Sequence, residues 1–380
     1  MPAPDLAILG WARSPVAPVG GLLRGLTPHG LGAPVVRALL KRTGVPAEAV
    51  GALVAGNALG AGGNPARMVA LAAGLPDGTP ALSLDSQCCA GLDAVITAAG
   101  LIAAGNAELV VAGGVEAWSR APLRFHRPAG PEEAPEPYDR PPFAPDPARD
   151  PDLFEAAADL AARRGITRAA QEAWAVESHA RALGMRAAMR AEIVPFDGLD
   201  HDPYARPLTP ALLRRMPLVT GNGDTGLSRI AASPSADGAA FVLLATLNAA
   251  RRLGVKPRAL YRAGASSGGA PETPMLACLP ACRRALERAG IGVGDLRAFE
   301  LHEAFAVQAL CVMQDLGLDP AIVSPSGGGL GRGHPIGASG AVSLVRLLAD
   351  LDRDAPPGAL GLATIAGAGG IGSAVVVERA

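Results

Sequence analysis

Aromatic residues are scarce in this chain, with three Trp, three Tyr and seven Phe in 380 residues, so its core must be assembled from small and aliphatic side chains. Lysine is nearly missing, since Lys41 and Lys256 are the only two and arginine supplies the remaining basic charge. We read that skew as codon usage in a GC-rich genome, not as a phosphate-binding design. The net charge is −1, so no basic field steers the protein to nucleic acid. The five cysteines include the vicinal pair Cys88 and Cys89, and an odd count of this kind does not make a disulfide framework. A reducing cytoplasm is the expected compartment. Cys278 and Cys282 are four apart within an expected helix and have no second ligand pair nearby, which favours burial over a zinc site; no metal is expected. Met1-Pro-Ala-Pro-Asp5 carries no basic segment leading into an apolar one, and outside glycine-broken segments no uncharged apolar run reaches membrane-spanning length.

Small and apolar residues are what the chain has in quantity: 48 glycines and 49% apolar residues. They suit close-packed α/β layers, and the length calls for two or three lobes. Short apolar runs at Leu6–Leu9, Val50–Ala55, Ala81–Leu84 and Glu108–Gly114 alternate with helical stretches at Gly30–Arg42, Pro65–Ala73 and Val95–Ala104. Strands alternating with helices predict a parallel sheet. From Pro122 to Arg149, proline and acidic residues exclude a helix or a central strand. Helices are predicted over Leu153–Arg164, with Gly165 as its cap, and over Thr167–Arg190. Strand–helix alternation returns with Ala239–Ala245 and Leu247–Leu253, then Ala259–Gly264, Cys278–Ala289 and Leu296–Leu301. A helix opened by Gly337-Ala-Ser-Gly340 and a strand at Ala359–Ile365 parallel the first part, so a duplicated domain is expected, with a site where the halves meet. The predicted division is 1–119 plus 229–256, an inserted 120–228, and 257–380.

Three residues stand out chemically. Cys88 follows the strand Ala81–Leu84 and precedes an alanine-rich helix, which places its sulfur at a helix N-terminus. Unpaired backbone N–H groups there favour a thiolate and any oxyanion beside it. His334 lies in the glycine-dense Ser326-Gly-Gly-Gly-Leu-Gly-Arg-Gly-His-Pro-Ile-Gly-Ala-Ser-Gly340, and His302 in Phe299-Glu-Leu-His-Glu-Ala-Phe-Ala306. A cysteine and two histidines at strand ends suit nucleophile, base and oxyanion donor in acyl transfer.

With these features the chain resembles the thiolase family from end to end. The shared segments are Gly56-Asn57 with Asn64-Pro-Ala-Arg67, the Cys88 helix, Val111-Ala-Gly-Gly-Val-Glu116, Ile166-Thr167, Asp237-Gly-Ala-Ala240, His302-Glu-Ala-Phe305 and Gly333-His-Pro-Ile-Gly-Ala-Ser-Gly340. The resemblance implies an α/β fold of two stacked βαβαβαββ halves, each with a five-stranded mixed sheet, and a loop domain over the coenzyme A of the substrate. It implies a homodimer or homotetramer, and acyl-CoA or an acyl carrier as substrate, with no separate cofactor. Cys88 matches the nucleophile and His334 its base. His302 stands at a position usually held by Asn, which helps hold the thioester oxygen of the second substrate. The backbone N–H groups of Cys88 and Ala368 match an oxyanion hole, and Ser233 matches a serine near bound coenzyme A.

Ala366 departs from the family, which places its second catalytic cysteine there. Asp152-Leu153 stands where a His-Met near the acyl pocket is usual, and Cys89 replaces a glycine, which predicts a narrowed or reshaped pocket. Three readings follow: a thiolase-type acyltransferase working through acyl-Cys88, its missing acid/base supplied by another group or by water; a decarboxylating condensing enzyme with a Cys-His-His set; and a non-catalytic subunit that binds acyl-CoA.

Overall fold

The computed structural model describes residues 6–60 and 63–380. Met1–Asp5, read above as free of a leader, and residues 61–62 lie outside the described residues. The first half contributes strands β1 (Leu6–Arg13), β2 (Ala52–Gly56), β3 (Ala81–Leu84), β4 (Leu109–Ala117) and β5 (Ala236–Thr246). Its helices are α1 (Pro28–Thr43), α2 (Pro65–Ala73) and α3 (Ala90–Ala103). Between β4 and β5 come α4 (Leu153–Arg164) and α5 (Arg168–Met189), and α6 (Leu247–Leu253) closes the half. The second half runs β6 (Ala259–Gly268), α7 (Cys278–Ala289), β7 (Leu296–Leu301), α8 (Ala306–Leu316), α9 (Ser339–Asp354), β8 (Leu360–Gly367) and β9 (Ile371–Arg379).

Strand order is β7-β8-β9-β6-β1-β5-β4-β2-β3, so hydrogen bonding runs unbroken from one half to the other. The junction is short: Leu6–Ile8 pair antiparallel with Ala259–Tyr261. Among the described residues the first half has five strands along this path, with Ala17–Pro18 pairing beside β5, but the second has four. In place of a fifth there is one parallel bridge between Phe299 and Val323. Pro325 and the glycines after it stop that run, because proline offers no N–H to a ladder and glycine adds no packing side chain.

Alternation along the strands builds the layers. On β5, Ala239, Phe241, Leu243 and Ala245 face an outer core shared with α1 and α2, while Ala240, Val242 and Leu244 face an inner core with α3 and α9. On β8, Ala363 and Ile365 face that same inner core, and Leu362 and Ala366 face the outer core of α7 and α8. Helices α3 and α9 are therefore sandwiched between the two halves of the sheet. Phe241 is fully buried, and Phe241→Ala should cost about 3–5 kcal/mol in denaturant unfolding.

Glycine brings the two central helices together. A Cβ on Gly56 would lie 2.4 Å from both Gly91 N and Gly337 O, and one on Gly340 would lie 2.8 Å from Leu92 N. Only residues without a side chain permit that approach. It sets two matching 3-10 turns side by side: Gln87–Cys89 ahead of α3, and Ile336–Ala338 ahead of α9.

Residues 122–149 hold only a two-residue ladder, Phe125–His126 with Glu136–Pro137, and one turn at Pro147–Arg149. Helix α4 ends at Gly165 in the left-handed conformation, and Thr167 caps α5. Both helices pack on the second half, where Leu160 and Trp174 share a core with Met275 and Phe305. Buried charges fasten the segment on its other side. Arg13 bonds Glu192 at 2.6 Å and Asp202 at 2.7 Å, and Arg346 pairs with Glu192.

Candidate active site

The turn after β3 presents Cys88. Gln87 has φ +54°, a left-handed conformation that side chains rarely adopt, and Asp85 Oδ1 accepts its N–H at 2.9 Å. Cys88 thus lies in a 3-10 turn just ahead of α3, rather than in the first turn of the helix itself. Its Sγ is 3.1 Å from His334 Nε2. His334 is held by its own N–H, which donates to Pro234 O at 2.7 Å.

Ser339 determines what the imidazole does. Its hydroxyl donates to Pro335 O at 3.0 Å, so toward His334 Nδ1, 2.7 Å away, the oxygen accepts. Nδ1 then carries the proton and Nε2 presents a lone pair to the thiol. Among the described residues no carboxylate is hydrogen-bonded to the ring.

The expected resting thiolate is not what this setting favours. Burial pushes the Cys88 thiol up to about 11, although N–H groups of Ala368 and of Cys88 itself point at the sulfur and pull the other way. Burial also pushes His334 down to about 4. The desolvation of an enclosed sulfur outweighs the helix-terminal field, so the pair rests as thiol and neutral imidazole. Iodoacetamide should accordingly alkylate Cys88 slowly at pH 7 and faster toward pH 11, as read by mass of the labelled peptide. A rate that levels off below pH 7 would contradict this. Because His334 protonates only near pH 4, the acid limb of kcat/KM should lie well below pH 6.

After β8 the chain turns through Gly369 and Gly370, with φ of +76° and +75°. That turn delivers the Ala368 N–H to the sulfur. The N–H groups of Cys88 and Ala368 therefore converge on the sulfur.

Cys88, His334, Ser233, Ala366 and Ala368 all line one cavity of about 360 Å³, with Leu153, Phe154 and Phe305 among its apolar walls. Ser233 donates its hydroxyl proton to Gly329 O at 2.8 Å. His302 is not on this wall. It is 1% exposed, its ring centroid is 4.3 Å from that of His334, and its Nε2 has no partner among the described residues. Burial holds it well below the usual histidine range, with the His334 and Arg332 charges adding to the effect.

Two expectations about the pocket are corrected. Cys89 does not narrow it: the side chain is fully buried in the inner core, its Sγ 3.7 Å from Ile365 O. Asp152 is the cap of α4, accepting from the N–H groups of Phe154 and Glu155, so only Leu153 of that pair meets the cavity.

Sequence reasoning passed over Ser339 and Glu116. Glu116 is buried and takes the N–H groups of Ala58 and Gly337, each at 2.9 Å, with the amide of Asn57. It ties the first half to the segment just beyond His334, and burial lifts its carboxyl to about 7. Its place in Val111–Glu116, among segments already singled out, was the available signal.

Comparison with known proteins decides the family. A profile described as thiolase, N-terminal domain, matches residues 6–248, and one described as thiolase, C-terminal domain, matches 255–379. The chain belongs to the thiolase family. It is 37% identical to an acetyl-CoA acetyltransferase of Chromobacterium violaceum, over 99% of this chain and 100% of that protein. It is 36% identical to a putative acetyl-CoA C-acetyltransferase of Bacillus subtilis, over 94% of each. The crystal structure of the Bacillus anthracis acetyl-CoA acetyltransferase superposes with a TM-score of 0.92 at 31% identity, over 100% of both chains. Like its thiolase relatives this protein is an acyltransferase of mixed α/β fold. Among the described residues no helix is long and apolar enough to cross a membrane.

Proposed function

We propose that this thiolase transfers acyl groups from coenzyme A thioesters through an acyl-Cys88 intermediate. The observation that carries the reading is the 3.1 Å contact of Cys88 Sγ with the lone-pair nitrogen of His334. In the first step Sγ attacks the thioester carbonyl and its proton passes to Nε2. The carbonyl oxygen becomes an oxyanion beside the N–H groups of Cys88 and Ala368. Collapse forms the acyl-Cys88 thioester, and coenzyme A leaves as its thiol with the proton from His334. Residues 120–228 form the cover over the substrate, and Ser233 meets the coenzyme arm.

The second step moves a proton at the α-carbon of the incoming acyl group, or at the thiol of coenzyme A in thiolysis. Ala366 lines the cavity where the family resemblance puts a cysteine for this task, and a methyl group exchanges no proton. We infer that acylation is intact and that carbon–carbon bond formation or cleavage is slow. His302 does not offer a direct substitute, since it sits against the far ring and off the cavity wall. The same placement weakens a decarboxylating Cys-His-His reading, which needs both imidazoles at the enolate oxygen. A stopped-flow comparison tests the proposal. Release of one equivalent of coenzyme A from acetyl-CoA should be fast, and thiolysis of acetoacetyl-CoA much slower. No burst of coenzyme A release would overturn it.

We also propose a homodimer or a homotetramer assembled from it, in the cytoplasm that the cysteine content suits. Strand β3 is an open edge of the sheet, and Leu82 on it is 44% exposed, with Met68 and Leu71 of the packed α2 similarly exposed. Light scattering at micromolar concentration should return at least twice the chain mass, and Leu82→Lys should lower it. A wild-type mass of one chain would refute the assembly.

A further inference from the structure

Two residues before each histidine stands one member of a buried ion pair. Glu300 precedes His302 on β7, and Arg332 precedes His334 at the end of the glycine-rich segment. Arg332 Nη2 donates to Glu300 Oε1 at 2.8 Å, and Nη1 donates to Gly327 O at 2.8 Å. Both side chains are 1% exposed.

The segment they brace is glycine-rich, and its other anchors lie mainly ahead of Arg332: a single helical turn at Gly329–Arg332, Leu330 N donating to Glu303 Oε2 at 3.3 Å, and Gly329 O accepting from Ser233. Residues 327, 328, 329, 331 and 333 are all glycine, and such backbone has many conformations to lose. Its start is held by Ser326 Oγ donating to Asp350 at 2.8 Å, and its middle by Gly328 N donating to Ser178 Oγ at 3.0 Å. Arg332 is the last side chain that anchors it before His334. Through Glu300 that anchor reaches the strand that ends one residue before His302, whose ring the His334 ring meets.

We propose that the Arg332–Glu300 pair is a positioning clamp: it sets the His334 ring against His302 and so fixes the approach of Nε2 to Cys88. The proposal rests on the reading of Cys88 and His334 as the reacting pair. The pair also offsets the Arg332 charge that acts on His302. Arg332 and Arg346 face Glu300 with positive charge and Asp350 with negative, while Glu300, Glu303 and Asp202 face Arg332. With Glu300 neutral, the Arg332 charge beside His302 is left less compensated.

Three variants separate positioning from simple packing. Glu300→Leu with Arg332→Met removes both charges at similar volume, a change that buried pairs often tolerate. The folded double variant should acylate Cys88 from acetyl-CoA at least about tenfold more slowly, as expected when a reacting group is displaced, with KM little changed. Glu300→Gln leaves Arg332 charged, so the pH profile of iodoacetamide labelling at Cys88 should move to lower pH. The double variant should show no such move. Arg332→Lys keeps the charge and should retain part of the acylation rate. A folded double variant acylating at the wild-type rate, or an unmoved Glu300→Gln profile, overturns the clamp. If the double variant does not fold, the two single variants decide by the same readouts. Failure of the parent reading is distinct: it shows as wild-type protein that takes up no acyl group, whereas the labelling shift is read without any acyl substrate.

Discussion

Cys88→Ala should abolish turnover, with a loss of about 10⁴-fold or more, the scale seen when a covalent nucleophile is removed. The thiol is the one group in the cavity placed to form the acyl-enzyme, 3.1 Å from its base and under two N–H donors. Cys89 cannot take over, because its sulfur is sealed in the core between the sheets. The variant should fold normally, since replacing a small side chain at the cavity wall removes no core contact of consequence. Coenzyme A release from acetyl-CoA, followed with a thiol dye, checks it. Retained release in Cys88→Ala would move the nucleophile elsewhere.

Ala366→Cys should act in the opposite direction and raise thiolysis of acetoacetyl-CoA by about 10²–10⁴-fold, the usual contribution of a positioned acid/base. Ala366 is on the same wall as Cys88 and His334, and it is 6% exposed, so a thiol added there adjoins the reacting atoms. The acylation half-reaction should be unchanged, because that step uses His334. The measurement is steady-state thiolysis beside the burst of coenzyme A release, for both proteins. A wild-type thiolysis rate as fast as its burst, with no gain in the variant, would show that another group already moves the proton.

Much of the site was legible because it is written in local sequence. Cys88 between a strand and a helix, the glycines around His334, and the glycine turn after Ala368 each constrain the backbone in their own neighbourhood, and the structure brings all three together. The duplication was legible as well, and it appears physically as paired 3-10 turns ahead of α3 and α9. What stayed hidden depends on enclosure by distant segments. The helix-terminal setting of Cys88 argued for a thiolate, but the neutral pair follows from the apolar enclosure of the half-buried sulfur and imidazole by distant segments, and no local pattern records that. His302 looked equivalent to His334 in sequence, yet one ring meets the cavity and the other backs it. Asp152 read as a changed pocket residue and proved to be a helix cap, a role its position before Leu153-Phe-Glu155 could have suggested. The fifth strand of the second half failed to form because Pro325 ends the run around Val323.

The central claim is that Cys88 carries the acyl group. Incubating the protein with acetyl-CoA, quenching in acid and mapping the peptides by mass tests it most directly. The account predicts one acetyl group per chain, on the peptide holding Cys88, lost on treatment with hydroxylamine and missing in Cys88→Ala. Acetyl found on another residue, or none found while coenzyme A is released, would contradict it.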